Sequence, residues 1–126
     1  MLGTMDIVAF VPSRNPAKAR PFYETTLGLR FVSEDPFALV LDANGVMIRV
    51  ANVSSVKTFK PAPFTILGWL VDDIAGTVKS LKKKNVKFER FPGMDQDELG
   101  VWRSPSGARI AWFKDPDGNV LSVTQG

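Results

Sequence analysis

Two side chains that carry much of enzyme chemistry are missing from this sequence, which has no histidine and no cysteine. Imidazole ligation, a histidine general base, thiolate catalysis, thiolate metal sites and disulfides are excluded together. What remains is carboxylates, cations and hydroxyls, so their spacing decides the chemistry. Asp95-Gln96-Asp97-Glu98 gathers three carboxylates but lacks the ligand count and glycine-centred geometry of a dedicated Ca²⁺ or Mg²⁺ loop, and reads as a solvated turn. Asp72-Asp73 precedes an apolar helical period and reads as a helix cap. Lys82-Lys83-Lys84 ends the same period, where cations complement the helix dipole. No Ser-His-Asp set, phosphate loop or glycine-rich dinucleotide fingerprint is present. The most informative charged residue is Arg49, inside the β-rich run Met47-Ile48-Arg49-Val50-Ala51. A guanidinium buried without a partner costs several kcal/mol. Three arrangements meet that requirement: a structural pair with Asp6, an arginine reaching solvent, or a forked donor aimed at a carboxylate or phosphate on a ligand.

The elements that would position Arg49 are organised around two similar turns. Near the C-terminus, apolar and β-branched residues flank Asp115-Pro116-Asp117-Gly118, where Pro presets φ and Gly accepts positive φ, giving a β-hairpin. An earlier copy runs through Asp42-Ala43-Asn44-Gly45, with Arg49 in the place of Ser122. The chain reads as a unit built twice.

In order, residues 6–11 form a first strand. Asn15-Pro16 supplies an N-cap and a first-turn proline for a helix reaching about Thr26, with a kink expected at Pro21 and an end at Leu27-Gly28. Strands are expected at 29–32, 37–42 and 46–53, making module one (5–53) β-α-β-β-β. Residues 54–63, where Lys57, Lys60, Pro61 and Pro63 interrupt any period, are the connector. Module two (64–125) repeats the order: a strand at 64–71, a helix on Ile74, Val78 and Leu81 ending at Asn85, and strands at 86–91, 100–103, 108–114 and 120–124. The acidic segment 92–99 is expected to be a mobile loop. Tyr23, beside Phe22, should pack between helix and sheet with its phenol near the surface.

At 126 residues the chain is expected to form a single domain, α+β in class: two tandem βαβββ modules with curved mixed sheets and helices on the outer face. Its apolar fraction of 44% is ordinary, and no run approaches the roughly 20 residues of a membrane span. The start, Met1-Leu2-Gly3-Thr4, lacks a basic then apolar leader, so a cytoplasmic protein without a membrane partner is expected. The formal charge of +3 favours anionic ligands slightly, but no basic stripe is interleaved with aromatics, so nucleic acid is not an expected partner.

The duplicated unit resembles the vicinal oxygen chelate superfamily, which includes glyoxalases, bleomycin-resistance proteins and extradiol dioxygenases. The residues carrying the resemblance are Pro16 through Gly28, Val71-Asp72-Asp73-Ile74, and above all Phe113-Lys114-Asp115-Pro116-Asp117-Gly118-Asn119. In metal-dependent members such as glyoxalase I, His and Glu residues from the first and last strand of each module chelate one divalent ion. Five residues before Val11 and Val71 stand Asp6 and Ile66, and four after Gly45 and Gly118 stand Arg49 and Ser122. A gapless count from Tyr23 selects Val8 in place of Asp6. Either way the set does not suit a metal, since Ile66 has no donor, Arg49 is a permanent cation and Ser122 is a weak neutral ligand. No cofactor is therefore expected.

What the resemblance then implies is a metal-free small-molecule-binding protein, similar to bleomycin-resistance proteins and homodimeric like them. The ligand, anionic or aromatic, would lie in the cavity of the curved sheet against Asp6, Phe10, Met47, Arg49, Trp102 and Ser122. Strand parity puts Asp6, Val8 and Phe10 on one face, and Met47 with Arg49. Trp102 would be a stacking wall beside the 92–99 loop, and Trp69, on the opposite parity from Ile66, should pack under a helix. The alternative is a glyoxalase-like lyase or isomerase with a degenerate site, using Asp6 or Glu98 as base.

Overall fold

The turn at Asn44-Gly45 folds the first sheet. Both residues take positive φ, 51° and 88°, which returns β3 (Ala38–Ala43) directly along β4 (Val46–Asn52) as an antiparallel pair. β1 (Val8–Ser13) adds to the free side of β4 in parallel, and β2 (Arg30–Glu34) pairs antiparallel with β3, giving the order β1-β4-β3-β2. In this computed structural model, which describes residues 1–126, these strands belong to a first unit, Met1–Lys60. The second unit, Pro61–Gly126, repeats the plan. β5 (Thr65–Leu70) runs parallel to β8 (Val120–Gln125), β7 (Arg109–Lys114) pairs with β8, and the short β6 (Trp102–Arg103) closes the order β5-β8-β7-β6.

One helix covers one face of each sheet. The Asn15 side chain caps α1 (Pro16–Pro21) by accepting from the Lys18 amide at 3.4 Å. Pro21, which has no N–H to donate, ends the regular helix, and the chain continues as a wide π turn over Phe22–Thr26, closed by Leu27 N donating to the Phe22 carbonyl at 2.9 Å. The expected kink is thus a change of helix type. α1 packs on β3 and β4, and Val11, Leu39, Leu41, Ile48 and Val50 are buried in this unit. Tyr23 is wholly buried as well, so its phenol does not reach the surface as expected. α2 (Ile74–Lys83) is capped by Asp73, presents Ile74, Val78 and Leu81 inward, packs on β7 and β8, and is followed by Asn85 at φ 68°. No helix is long and apolar enough to cross a membrane.

Three expectations are corrected. β1 starts at Val8, because continuing its register back would set Asp6 against Gly45, which lies in the turn where β4 has not begun. Residues 86–91 are not a strand, although Phe88 bridges Phe113. Glu89 N still donates to the Trp112 carbonyl on β7 at 2.8 Å, but the Gln96 side chain takes the groups beyond it: its Oε1 accepts from Phe91 N at 2.8 Å, and its Nε2 donates to the Glu89 carbonyl, and to that of Gly100, at 2.9 Å each. The same bonds tie down the 92–99 segment expected to be mobile, with Arg90 Nη2 donating to the Asp97 and Glu98 carbonyls.

The second turn is the firmer of the two. Asp115 Oδ1 accepts from the amides of Asp117 and Asn119, and Oδ2 from Asn119 Nδ2, each at 2.9 Å. Gly118 stands at φ 90° with Pro61 only 3.3 Å from where a Cβ would be. Behind the turn, Phe113 is fully buried with the Phe88 ring 5.5 Å away. Phe113→Ala should cost about 3–5 kcal/mol, read as a lowered urea midpoint with an unchanged m-value.

Candidate functional site

Because a helix takes one face of each sheet, every second strand residue points to the open face. The N-caps Asn15 and Asp73 mark equivalent points of the two units, and seven residues before them stand Val8 and Ile66. Val8, not Asp6, is therefore the first-strand counterpart of Ile66. The four positions at which the resemblance would place metal ligands hold two hydrocarbons, Val8 and Ile66, a permanent cation, Arg49, and a neutral alcohol, Ser122. These do not fit a divalent ion, and no group of three or more carboxylates exists elsewhere that could hold one.

In the first unit, Arg49 lies between Phe10 on β1 and Val40 on β3. It is half-buried and forms no ion pair with Asp6, which stands outside the sheet and is exposed. The carboxylate that feels Arg49 is Asp35, and only weakly. Asp35 is held below the usual carboxylate range chiefly by the amides of Phe37, at 2.8 Å, and Ala38, at 3.0 Å, with the Arg49 charge a smaller cause. Beside this row, a cavity of about 250 Å³ is walled by Asp6, Val8, Val32, Val40 and Met47, with the Arg30–Asp42 pair, 3.7 Å apart, on its rim. The structure therefore gathers Asp6 and Met47 on one cavity, and sets Phe10, 63% exposed, next to Arg49 on the same face. A second cavity of about 270 Å³, unforeseen in the sequence, opens among Asn15, Glu34, Asp35 and Asn52. The Asn52 amide there is spent on the Pro36 carbonyl and the Ser54 N–H.

In the second unit, Ser122 lies between Gly68 on β5 and Trp112 on β7. Trp112 Nε1 donates to Thr65 Oγ1 at 3.1 Å, so the indole reaches from β7 across β8 to β5. Phe91 meets it edge-on at 5.4 Å and Trp102 lies 6.1 Å away. Trp102 and Ser122 thus belong to one aromatic cluster. Its centre is Trp112, whose face the regular alternation Ile110, Trp112, Lys114 along β7 fixes once no bulge interrupts the strand. Trp69 lies beside Val123 and Ala111, on the helix side of the sheet. Glu98, the alternative base, is exposed on the turn held by Gln96 and Asp97.

A model of the Glyoxalase/Bleomycin resistance protein/Dioxygenase superfamily matches residues 5–123. Among curated proteins, none matches the sequence. Solved structures with the same fold include a member of that superfamily from Sphaerobacter thermophilus DSM 20745, at TM-score 0.75 and 23% identity over 100% of both chains. Lactoylglutathione lyase from Agrobacterium tumefaciens superposes at TM-score 0.73 and 16% identity, over 98% of this chain and 94% of that one. TnmS3, an antibiotic binding protein from Streptomyces sp. CB03234, does so at TM-score 0.70 and 22% identity, over 99% and 98%. At these identities the likeness is one of fold.

The order of causes at Asp35 gives a measurable expectation. Its carboxyl should titrate below the ordinary value near 3.9, and Arg49→Ala should raise it only slightly, because the two amides remain. A depressed folded value contributes stability above the unfolded pKa that is lost as pH falls through the folded one. Side-chain carboxyl NMR of the Arg49→Ala protein that found Asp35 fully restored to the ordinary range would reverse that order.

Proposed function

The chain belongs to the Glyoxalase/Bleomycin resistance protein/Dioxygenase superfamily, and from that membership we propose that it binds a small organic molecule on the open sheet faces without a metal. The observation that carries this reading is Arg49: a half-buried guanidinium on an apolar strand face, with no carboxylate at ion-pair distance. A planar fork of donors so placed suits a ligand carboxylate, which would meet two parallel hydrogen bonds there. Phe10, Val8 and Met47 supply apolar area that a bound molecule would cover. In the second unit, Trp102 and Ser122 contribute an aromatic surface and a hydroxyl. Asp6 bounds the first-unit cavity and sets its polarity.

A lyase or isomerase reading finds less support. Without a metal, an enolate-forming reaction needs a base together with donors aimed at the developing oxyanion. Asp6 and Glu98 are both exposed, the guanidinium beside Glu98, that of Arg90, is engaged by the Asp97 and Glu98 carbonyls, and the one sharing the Asp6 cavity, that of Arg30, lies 3.7 Å from Asp42.

The reading makes two measurable statements. Purified protein should carry no stoichiometric Ni, Zn, Fe or Mn after dialysis, and retention of one at unit occupancy would sink the proposal. A thermal-shift screen of organic carboxylates, benzoate included, should yield a ligand that at 100 times its Kd adds about 2.7 kcal/mol of apparent stability. Arg49→Ala should weaken that ligand by about 1.5–3 kcal/mol, roughly ten- to a hundredfold in Kd.

A further inference from the structure

Gly68 is a glycine that its own backbone does not require. It lies inside β5 and its φ is not positive, so a residue with a Cβ could take the same conformation. A glycine within a strand weakens it and marks a bulge, a tight bend or close approach by another group; the bulge of β5 lies between Thr65 and Leu67, and Gly68 beyond it is in regular register with Ser122. Here the constraint is spatial. A Cβ at position 68 would lie 2.6 Å from Ser122 Oγ and 3.4 Å from the Ser122 carbonyl oxygen, while the outer side of Gly68 is exposed. The missing methyl leaves a notch in the open face whose inner end is a hydroxyl.

That hydroxyl is itself unusual. Ser122 is only 7% exposed, yet its Oγ forms no hydrogen bond within the protein and is not fully sealed from solvent. Burying a hydroxyl without a partner is unfavourable, and such groups in folded proteins are normally paired. Beside Ser122 on β7 is the Trp112 indole. It spans β8 on its way to Thr65 and is fixed in orientation by that hydrogen bond, with Phe91 against it and Trp102 beyond.

We propose that the notch above Gly68 receives the edge of a planar aromatic ring bearing a hydroxyl or carbonyl group, and that Gly68 is the residue that determines this specificity. The ring's oxygen would hydrogen-bond Ser122 Oγ, and its face would pack against the indole of Trp112. A gap one methyl wide admits a flat ring edge and rejects the tetrahedral carbons of a saturated ring. The proposal rests on the ligand-binding reading given above, but uses none of the first-unit residues.

The experiment is a titration of the full chain with 1-naphthol, followed by amide and indole ¹H–¹⁵N NMR, with decahydro-1-naphthol as the saturated counterpart. Trp112→Phe identifies the Trp112 indole signal in the unliganded spectrum. Binding of 1-naphthol should shift the Gly68 amide and the Trp112 indole N–H, and the saturated compound should bind at least tenfold more weakly. Gly68→Ala should weaken 1-naphthol at least tenfold. Should that variant lose its dispersed spectrum, Ser122→Ala, which only removes the oxygen, carries the test with an expected loss of about tenfold. Absence of those shifts, equal affinity for the two compounds, or unchanged affinity in the folded variants would overturn the proposal. Benzoate is titrated in parallel: an Arg49-dependent benzoate response without a naphthol response refutes the notch alone, while no response to either refutes the ligand-binding reading as well.

Discussion

Each sheet of this chain is covered by a helix on one side only, and the rest of the molecule follows from that asymmetry. A strand sends alternate side chains to opposite faces, so the residues of β1 and β4 are sorted into two environments by position alone. Val11, Ile48 and Val50 go to the helix side and are buried. Val8, Phe10, Met47 and Arg49 go to the other, where no element of the same unit covers them. An open sheet face meant only for water is normally polar. This one is largely apolar, with Arg49 and the Arg30–Asp42 pair its charged groups, a composition that suits contact with something other than solvent.

The features legible in the sequence are those set by local chemistry. Asp42-Ala43-Asn44-Gly45 and Asp115-Pro116-Asp117-Gly118 announce their turns because only certain residues accept those dihedrals. Asn15 and Asp73 announce helix starts because a side-chain acceptor must meet free amides. What was not legible depends on partners distant in the chain. The alternation of residues 86–91 fits a strand, but nothing in it tells that only Glu89 N will reach β7 and that the Gln96 side chain will take the Glu89 carbonyl and the Phe91 amide. Parity groups Asp6 with Val8 and Phe10, yet where β1 begins is decided by where the turn before β4 ends, and Asp6 falls outside it. Parity likewise cannot tell that a side chain as long as Trp112 will cross β8 beside Ser122.

The departure from a metal site is equally physical. A divalent ion needs several anionic or lone-pair donors converging at short range, and the ion's charge offsets their mutual repulsion. With a hydrocarbon at Val8 and at Ile66 that convergence is lost, whatever the other two positions hold. Arg49 goes further, because its fixed positive charge opposes any cation and attracts the kind of oxygen that the ligands of such a site would have supplied.

The two units then diverge in what they can select. In the first, Arg49 has large neighbours in Phe10 and Val40, and its charge acts over several ångströms with little regard to the shape of the anion. Salt screens such an interaction where it is open to solvent. In the second, the matching position holds Ser122, flanked by a glycine and an indole. A hydroxyl has no net charge to act at a distance, so under the proposal its bond would form only with a group that fits beside Gly68, and a misfit would leave it unpaired at a cost of about 1–3 kcal/mol. On the proposed reading, one duplicated position would attract anions in one copy and test shape in the other.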